Sequence, residues 1–478
     1  MFNKMNKTSM LTVSTILALT LSACSSGGGN TTNSPKGTNE TSPQSTNAAV
    51  NEGTSDAPKV KLNYWTEDRH DLAYIQEVVQ RFNETNKNNI EVEVKGLSEN
   101  YNQSVDIAFS SKQAPDIIRT TPSNFIPFVK KGYLEPLNGY MNAEMDAKFG
   151  GALIDKSNMM DGQIYSLPNY GYSSRLIYNV DLFEKAGIAG PPTTLDEMVE
   201  TAKKLTEAGQ DTGAYGFAIN FKGADNSFEK APRSIAELSG VGGYGYDFKT
   251  GKYDFSGFAD IMTAFKQMKD DGSMLPGVEA MDIDPLRAQF AEGKIGMYLS
   301  ISAETNVYLE QFPAKINWAA ALPPTINGEI KGVAGYWKTG PWLSISSQTK
   351  HKEEAWQFLD YMYSDEVLQK YYEGGYGLSL LPDIIAKSKT PEVPGIEGFL
   401  PTENDGIWPI SPKVTVDGTD FSNLFIKYTI SGGDLDKMIE DVNARYNVAL
   451  DKARASGDVT TEAMPDFDAK SMQGMLTK

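Results

Sequence analysis

Cys24 is the only cysteine in 478 residues, and His70 and His351 are the only histidines. A single thiol excludes an intrachain disulfide, so the fold must rest on its core. Two histidines leave little material for a metal centre or a nucleophile–base pair. The chain also lacks G-x-S-x-G, H-E-x-x-H, a Walker loop and any G-x-G-x-x-G that opens a helix. The glycines of VGGYGYDF come without a phosphate-loop lysine and read as a turn. DGTDFSN fails the glycine and glutamate spacing of a calcium loop. Basic charge is scarce: 44 Lys and Arg stand against 62 Asp and Glu, a net charge of −18. That balance argues against nucleic acid or an anionic membrane as the partner surface. Carboxylate pairs are so common here that a glycosidase-like pair is neither excluded nor singled out. No stretch reaches about 18 consecutive apolar residues, so no bilayer span is expected.

What is present begins at the N-terminus. Lys4 and Lys7 precede an apolar run, Leu11 to Ala23, with the pattern of a secretory signal. Leu21-Ser22-Ala23-Cys24 resembles the lipobox of bacterial lipoproteins. The resemblance implies cleavage of signal peptide 1–23 and lipidation of Cys24 on the extracytoplasmic face of the cell membrane. Loss of Lys4 and Lys7 moves the formal charge to about −20. Residues 24–58 are Ser, Thr, Asn, Gly and Pro with almost no large apolar side chain, and are expected to form a disordered tether.

From Val60 the texture changes. VKLNYWTE predicts a strand. Leu72, Ile75, Val79 and Phe82 recur at helical spacing, IEVEV alternates with period two, a helical stretch surrounds Tyr101 to Ser111, and PDIIRT is a short strand. This β-α-β-α-β order predicts an α/β sheet with helices on its faces. Downstream, Thr194 and Glu197 mark a capping box, and HKEEAWQFLDYMYS predicts a helix with Ala355, Phe358, Leu359 and Met362 on its apolar face. No fixed-period repeat is evident. Many of the 23 tyrosines and six tryptophans lie in turns such as NYWTEDR, LPNYGYSS, GVAGYWKTGPW, EGGYGLS and NDGIWPI. Aromatic planes flanked by Asp, Asn and Arg suit the C–H faces and hydroxyls of a sugar, although each ring taken singly also reads as a packed loop anchor.

Four stretches carry a family resemblance: APDIIRTTPSNFIPFVKKGYLEPLNGY, DGQIYSLPNYGYSSRLIYNVDLFEKAGIAGPPTTLDEMVETAKKLT, AQFAEGKIGMYLS, and AAALPPTINGEIKGVAGYWKTGPWLSISSQTKHKEEAWQFLDYMYSDEVLQKYY. In order and spacing they resemble bacterial extracellular solute-binding proteins of the group that includes maltose-binding protein. The resemblance implies an α/β, two-lobed periplasmic-binding-protein type II fold with hinge crossings and a ligand cleft between the lobes. Crossings are expected near 171–174, 321–323 and 375–377. Lobe one would be 59–172 plus 322–376, and lobe two 173–321 plus 377–478.

By position, the same resemblance places ligand contacts on Trp65, Glu67, Asp68 and Arg69 after the first strand. It adds Thr120, Thr121, Ser123 and Asn124 after PDII, where the family often carries Asp and Arg, or Trp. Asn169, Tyr170 and Tyr172 fall at the first hinge, and Ser302 and Glu304 follow the GKIGMYLS strand. Trp337 and Lys338 lie in GVAGYWKTG, Tyr376 at the third hinge, and Trp408 and Phe421 at the cleft rim. The implied role is a substrate-capture lipoprotein of an ABC importer that delivers a sugar or oligosaccharide to its permease. It would be monomeric, without catalytic residues, cofactor or metal. Three alternatives stay open. Tyr371-Tyr372 resembles the tandem tyrosines of iron carriers, a secreted polysaccharide-active enzyme is conceivable, and a sensory role would use the same surfaces.

Overall fold

The computed structural model describes residues 59–97, 100–338, 341–471 and 474–475. Signal peptide 1–23, Cys24 and the tether to residue 58 lie outside the described residues.

The first strand, Val60–Thr66, buries every second side chain: Leu62, Tyr64 and Thr66. It pairs in parallel with Ile90–Gly96, Val60 opposite Ile90, and with Ile117–Arg119, Tyr64 opposite Ile117. A parallel pair needs a crossover, and the helix Leu72–Thr85 supplies it. That helix buries Tyr74, Ile75, Val78, Val79 and Phe82; Leu72, expected on this face, is only half-buried. Leu343–Ile345 joins antiparallel to Ile117–Arg119 and completes a four-stranded sheet. The helix Lys352–Met362 covers it with Ala355, Phe358, Leu359 and Met362, as its periodicity predicts.

The second sheet is built on one long strand, Tyr170–Asn179. Ile295–Ile301 and Trp318–Ala321 both pair antiparallel with its far half, Ile301 opposite Ser174 and Trp318 opposite Asn179. Ala334–Lys338 and Leu378–Ser379 pair antiparallel with its near half, around Gly171. The near half packs Tyr170 and Tyr172 into the core of the first sheet, and the far half packs Leu176 and Ile177 into a second core. The helix Leu195–Ala208 covers this second core with Leu195, Met198, Val199, Ala202 and Leu205. Its capping box is offset by one residue. Thr194 accepts from the Glu197 N–H at 3.1 Å, while the Glu197 carboxylate reaches Thr193 N–H at 2.7 Å.

Two main cores bridged by the through-going strand make the α/β molecule two-lobed, with a smaller cluster around Tyr101, Phe109, Phe125 and Phe128 on the first sheet's other face. The return crossing departs from expectation. Trp318–Ala321 stays on the second sheet and Val333 packs in the second core, so the chain returns between Ala334–Lys338 and Leu343–Ile345, not at 321–323. The strand Trp318–Ala321 is held by backbone pairing along residues 176–179, a constraint that spacing does not reveal. On the last passage Leu380 packs in the second core, while Leu381 and Ile384 pack in the first.

Candidate functional site

The site forms where the two parallel strands 60–66 and 117–119 end, the position at which open α/β sheets bind ligands. Arg119 closes the second of them and is 1% exposed. A buried guanidinium needs partners for its planar fork. Its Nε donates to Asp68 Oδ2, Nη2 to the Tyr170 hydroxyl at 2.9 Å, and Nη1 to the carbonyls of Thr120, Pro341 (3.0 Å) and Trp342 (3.3 Å). The Tyr170 hydroxyl in turn donates to Asp68 Oδ2 at 3.0 Å. Asp68 Oδ2 is thus doubly engaged, and Oδ1 has no partner among the described residues. Burial works against the Asp68 carboxylate, but Arg119, His70 and the two hydrogen bonds outweigh it and hold its pKa below the usual range.

Asp71 shows the tertiary structure overriding a local preference. It precedes the helix Leu72–Thr85, where aspartate is a favoured cap, yet its side chain makes no cap bond. Oδ2 accepts from the Tyr371 hydroxyl at 2.7 Å, and Oδ1 is buried without a partner. Burial, together with the Asp68 charge, raises its pKa against the opposing His70 and Tyr371. His70 Nε2 lies 2.9 Å from the Tyr172 hydroxyl and 3.3 Å from that of Tyr371. Because Tyr371 gives its proton to Asp71, it offers His70 only a lone pair. Tyr371 stacks on Tyr170 at 4.9 Å, with Trp342 edge-on to both. Trp342 Nε1 and Asn169 Nδ2 are also buried without partners among the described residues. Unsatisfied buried polar atoms are uncommon, and two of these, Asp71 Oδ1 and Trp342 Nε1, belong to residues bonded to or packed on Tyr371.

The other expected residues divide. Glu67 is half-buried, and burial with the neighbouring Asp68 pushes its pKa up to about 7. Thr121, Ser123 and Asn124 form a turn closed on itself: Asn124 Oδ1 accepts from Thr121 N–H at 2.8 Å, and the two hydroxyls lie 2.9 Å apart. Asn124 Nδ2 donates to Asn102 Oδ1 at 3.0 Å, and Thr120 is fully buried against Ser344 and Ser166. Trp65 is half-buried, with the Lys95 ammonium 5.2 Å from its ring centre. Tyr376 stacks on Tyr74 at 4.8 Å. Trp337 and Lys338 sit in the strand opposite Tyr172 and Gly171.

Several placements correct the expectation. Arg69, expected among the ligand contacts, crosses to the other lobe, pairing with Asp284 at 3.1 Å, while its carbonyl accepts from Gln311 Nε2 at 3.3 Å. Glu304 is fully buried and closed by Arg287, with bonds of 2.8 and 2.9 Å, and by Ser300 at 2.8 Å. Ser302 is buried and accepts from Ser173 N–H at 3.3 Å. Trp408 donates to the Val333 carbonyl at 3.0 Å and packs on Phe467, and Phe421 stacks on Phe255 at 4.0 Å. Both are second-core residues, because large rings save more free energy in a core than at a wet rim. Tyr371 and Tyr372 pack in different cores and do not converge as an iron diad would require.

Arg119, His70 and Asp71 were not foreseen as site residues, and Tyr371 was considered only as half of an iron-carrier tyrosine pair. The available signals were an arginine ending an apolar strand and a histidine–aspartate pair at a strand's carboxyl end. The assembled groups can donate and accept hydrogen bonds and stack on a ligand.

Residues 66–369 match the family described as bacterial extracellular solute-binding proteins. The chain belongs to that family. Within it, the chain is 31% identical over 252 residues to a putative binding protein of Brucella abortus, a match covering 52% of this chain and 57% of that protein. The chain thus spans little more than half the length of the first relatives it matches. It is 26% identical over 338 residues to the multiple sugar-binding protein of Streptococcus mutans, covering 66% of this chain and 74% of the relative. Among solved structures it resembles the GacH receptor of Streptomyces glaucescens, described unliganded and with acarbose. That likeness has a TM-score of 0.66 at 19% identity and covers 83% of this chain and 99% of the receptor. This solute-binding protein therefore shares the two-lobed fold of such receptors. Its family consists of binding proteins. Among the described residues no helix is long and apolar enough to cross a membrane.

Proposed function

We propose that this chain captures a sugar or oligosaccharide between its lobes and hands it, unaltered, to an ABC permease. It would act as a monomer, held on the outer face of the cell membrane by lipid on Cys24. The observation that carries the reading is Asp68. Arg119 and Tyr170 fix it as a carboxylate, one oxygen has no partner among the described residues, and stacked tyrosines lie beside it. A fixed acceptor beside aromatic faces matches a sugar's hydroxyl edge and C–H face. Similarity to the multiple sugar-binding protein of Streptococcus mutans supports the same class. Lobe one is proposed as 59–172 with the return segment, and lobe two as the remainder. Glu67, Asp68, Asn169, Tyr170, Tyr172, Thr121, Ser123, Trp65, Tyr376, Trp337 and Lys338 are the proposed lining. No covalent step is proposed. Closure would be driven by tighter binding to the closed form, with Arg69–Asp284 as one contact made between the lobes.

A thermal-shift series over mono- and oligosaccharides tests this. A ligand at 100 times its dissociation constant adds about 2.7 kcal/mol of stability. Amino acids or peptides shifting the transition while every sugar fails would overturn the reading. Chromatography after incubation should return the sugar uncleaved. Cys24→Ser should bind ligand and leave the membrane fraction.

A further inference from the structure

Asp71 is a second buried carboxylate, three residues beyond Asp68, and its charge is matched differently. Asp68 Oδ2 meets the Arg119 guanidinium, a permanent cation. Asp71 is 2% exposed, and among the described residues the one basic side chain within ion-pair distance is His70, whose Nε2 lies 3.9 Å from Oδ2. Rings connect the two carboxylates. Tyr170 donates to Asp68 at 3.0 Å, Tyr371 donates to Asp71 at 2.7 Å, and the two tyrosines stack at 4.9 Å. His70 packs edge-on to Tyr170 and Tyr172, with ring centres 5.9 and 5.7 Å away. Its Nε2 lies 2.9 Å from the Tyr172 hydroxyl and 3.3 Å from that of Tyr371. From the first sheet Tyr64 and Arg119 also face the pair, and from the turn after the helix Asp365–Glu373 so does Tyr376. Glu67 and Asp68 precede it in the same loop.

Two buried carboxylates against one guanidinium leave an uncompensated charge, which is costly. Tyr371 gives its hydroxyl hydrogen to Asp71, so Nε2 of His70 must carry hydrogen to meet the Tyr371 lone pair. A second hydrogen, on Nδ1, supplies the missing positive charge. We propose that His70 and Asp71 hold one proton between them while the site is competent, and that its loss as pH rises loosens the tyrosines that position Asp68 and weakens saccharide binding. His70 and Asp71 are thus positioning residues, and the proton belongs to the pair rather than to either member. This rests on the saccharide reading above and adds a regulation to that site. Burial raises the pKa of Asp71, which agrees in sign: the native state holds the proton, and the stability tied to it is lost as pH rises through the folded value.

The test is calorimetric titration of the full chain with raffinose, maltotriose and galactotriose between pH 5.5 and 9. Glu67 titrates near 7, so the series is repeated in Glu67→Gln. For the sugar that binds tightest, affinity should fall about tenfold from about pH 6 to about pH 9 in both proteins. Binding on that limb should take up a fraction of a proton, read from the buffer dependence of the heat. Asp71→Asn keeps an acceptor for Tyr371 without the charge, and in it the same fall should shrink below about twofold. The chain has two histidines, so ring-15N labelling gives two imidazoles, and His351→Gln tells them apart. The His70 signals should move over the same pH range as the affinity, and added sugar should shift them toward the protonated form. That readout uses the unaltered Asp71 and stands even if Asp71→Asn fails to fold. If affinity is flat from pH 6 to 9, if its fall survives in Asp71→Asn or vanishes in Glu67→Gln, or if the His70 signals stay fixed along the limb, the shared-proton inference falls and the saccharide reading stands. If none of the sugars binds at any pH, both fall.

Discussion

Two buried arginine–aspartate pairs sit at opposite ends of this molecule's chemistry. Arg175 and Asp405 form a fork, Nη1 to Oδ1 at 2.7 Å and Nη2 to Oδ2 at 2.8 Å, with side chains 1% and 0% exposed. The remaining Arg175 donors reach the carbonyls of Gly398, Leu400 and Ser174, and Asp405 also accepts from Thr402. Nothing is left over. Arg119 and Asp68 use the same residue types differently. The contact is through Nε alone, the aspartate side chain is 15% exposed, and Oδ1 has no partner among the described residues. A closed pair locks a fold, whereas a partly exposed pair with a spare acceptor is equipped to bind.

The comparison can be broken at its strongest point first. Asp405→Ala strands a buried guanidinium and should cost about 3–5 kcal/mol of stability in urea unfolding. A loss under about 1 kcal/mol would show that the closed pair is not the structural one. Asp68→Asn leaves Arg119 its three carbonyls and Tyr170, so it should cost less, about 1–3 kcal/mol, while sugar affinity drops at least tenfold. Unchanged affinity would remove Asp68 from the site.

Glu67 gives the third prediction. Its folded pKa is near 7, above the unfolded value of about 4.3, so in that window the native state holds the extra proton. Stability should therefore fall as pH rises from about 4.3 through 7, and Glu67→Gln should flatten that slope. Asp68 acts in the opposite sense. Its depressed pKa contributes stability above the unfolded value of about 3.9 that is lost as pH falls below it. The smallest effect belongs to Arg69→Ala. Its pair with Asp284 is exposed, so stability should change by less than about 1 kcal/mol. Affinity should fall a few-fold at low salt, with the deficit shrinking at high salt. A salt-independent deficit would mean that Arg69 does not act through its charge.

Periodicity alone located the strand 60–66, the helices 72–85 and 352–362, and the α/β class, because each depends on neighbours within a few residues. Asp68 could be singled out because a strand's carboxyl end is a local feature. Its partner could not. Arg119 lies 51 residues away, while Arg69, adjacent in sequence, points to the other lobe. Trp408 and Phe421 failed as rim residues for a related reason: an aromatic in a loop looks the same whether tertiary packing covers it or not.

The sequence by itself therefore determined the element types, the acidic and disulfide-free character, and the family. Hydrophobic spacing, composition and motif order are all written along the chain. Only the tertiary structure decided which charges meet. It brought Tyr371 to Asp71 across 300 residues and Arg175 to Asp405 across 230. A buried charge takes its meaning from whatever occupies the next few ångströms, and contacts on that scale are set by the fold.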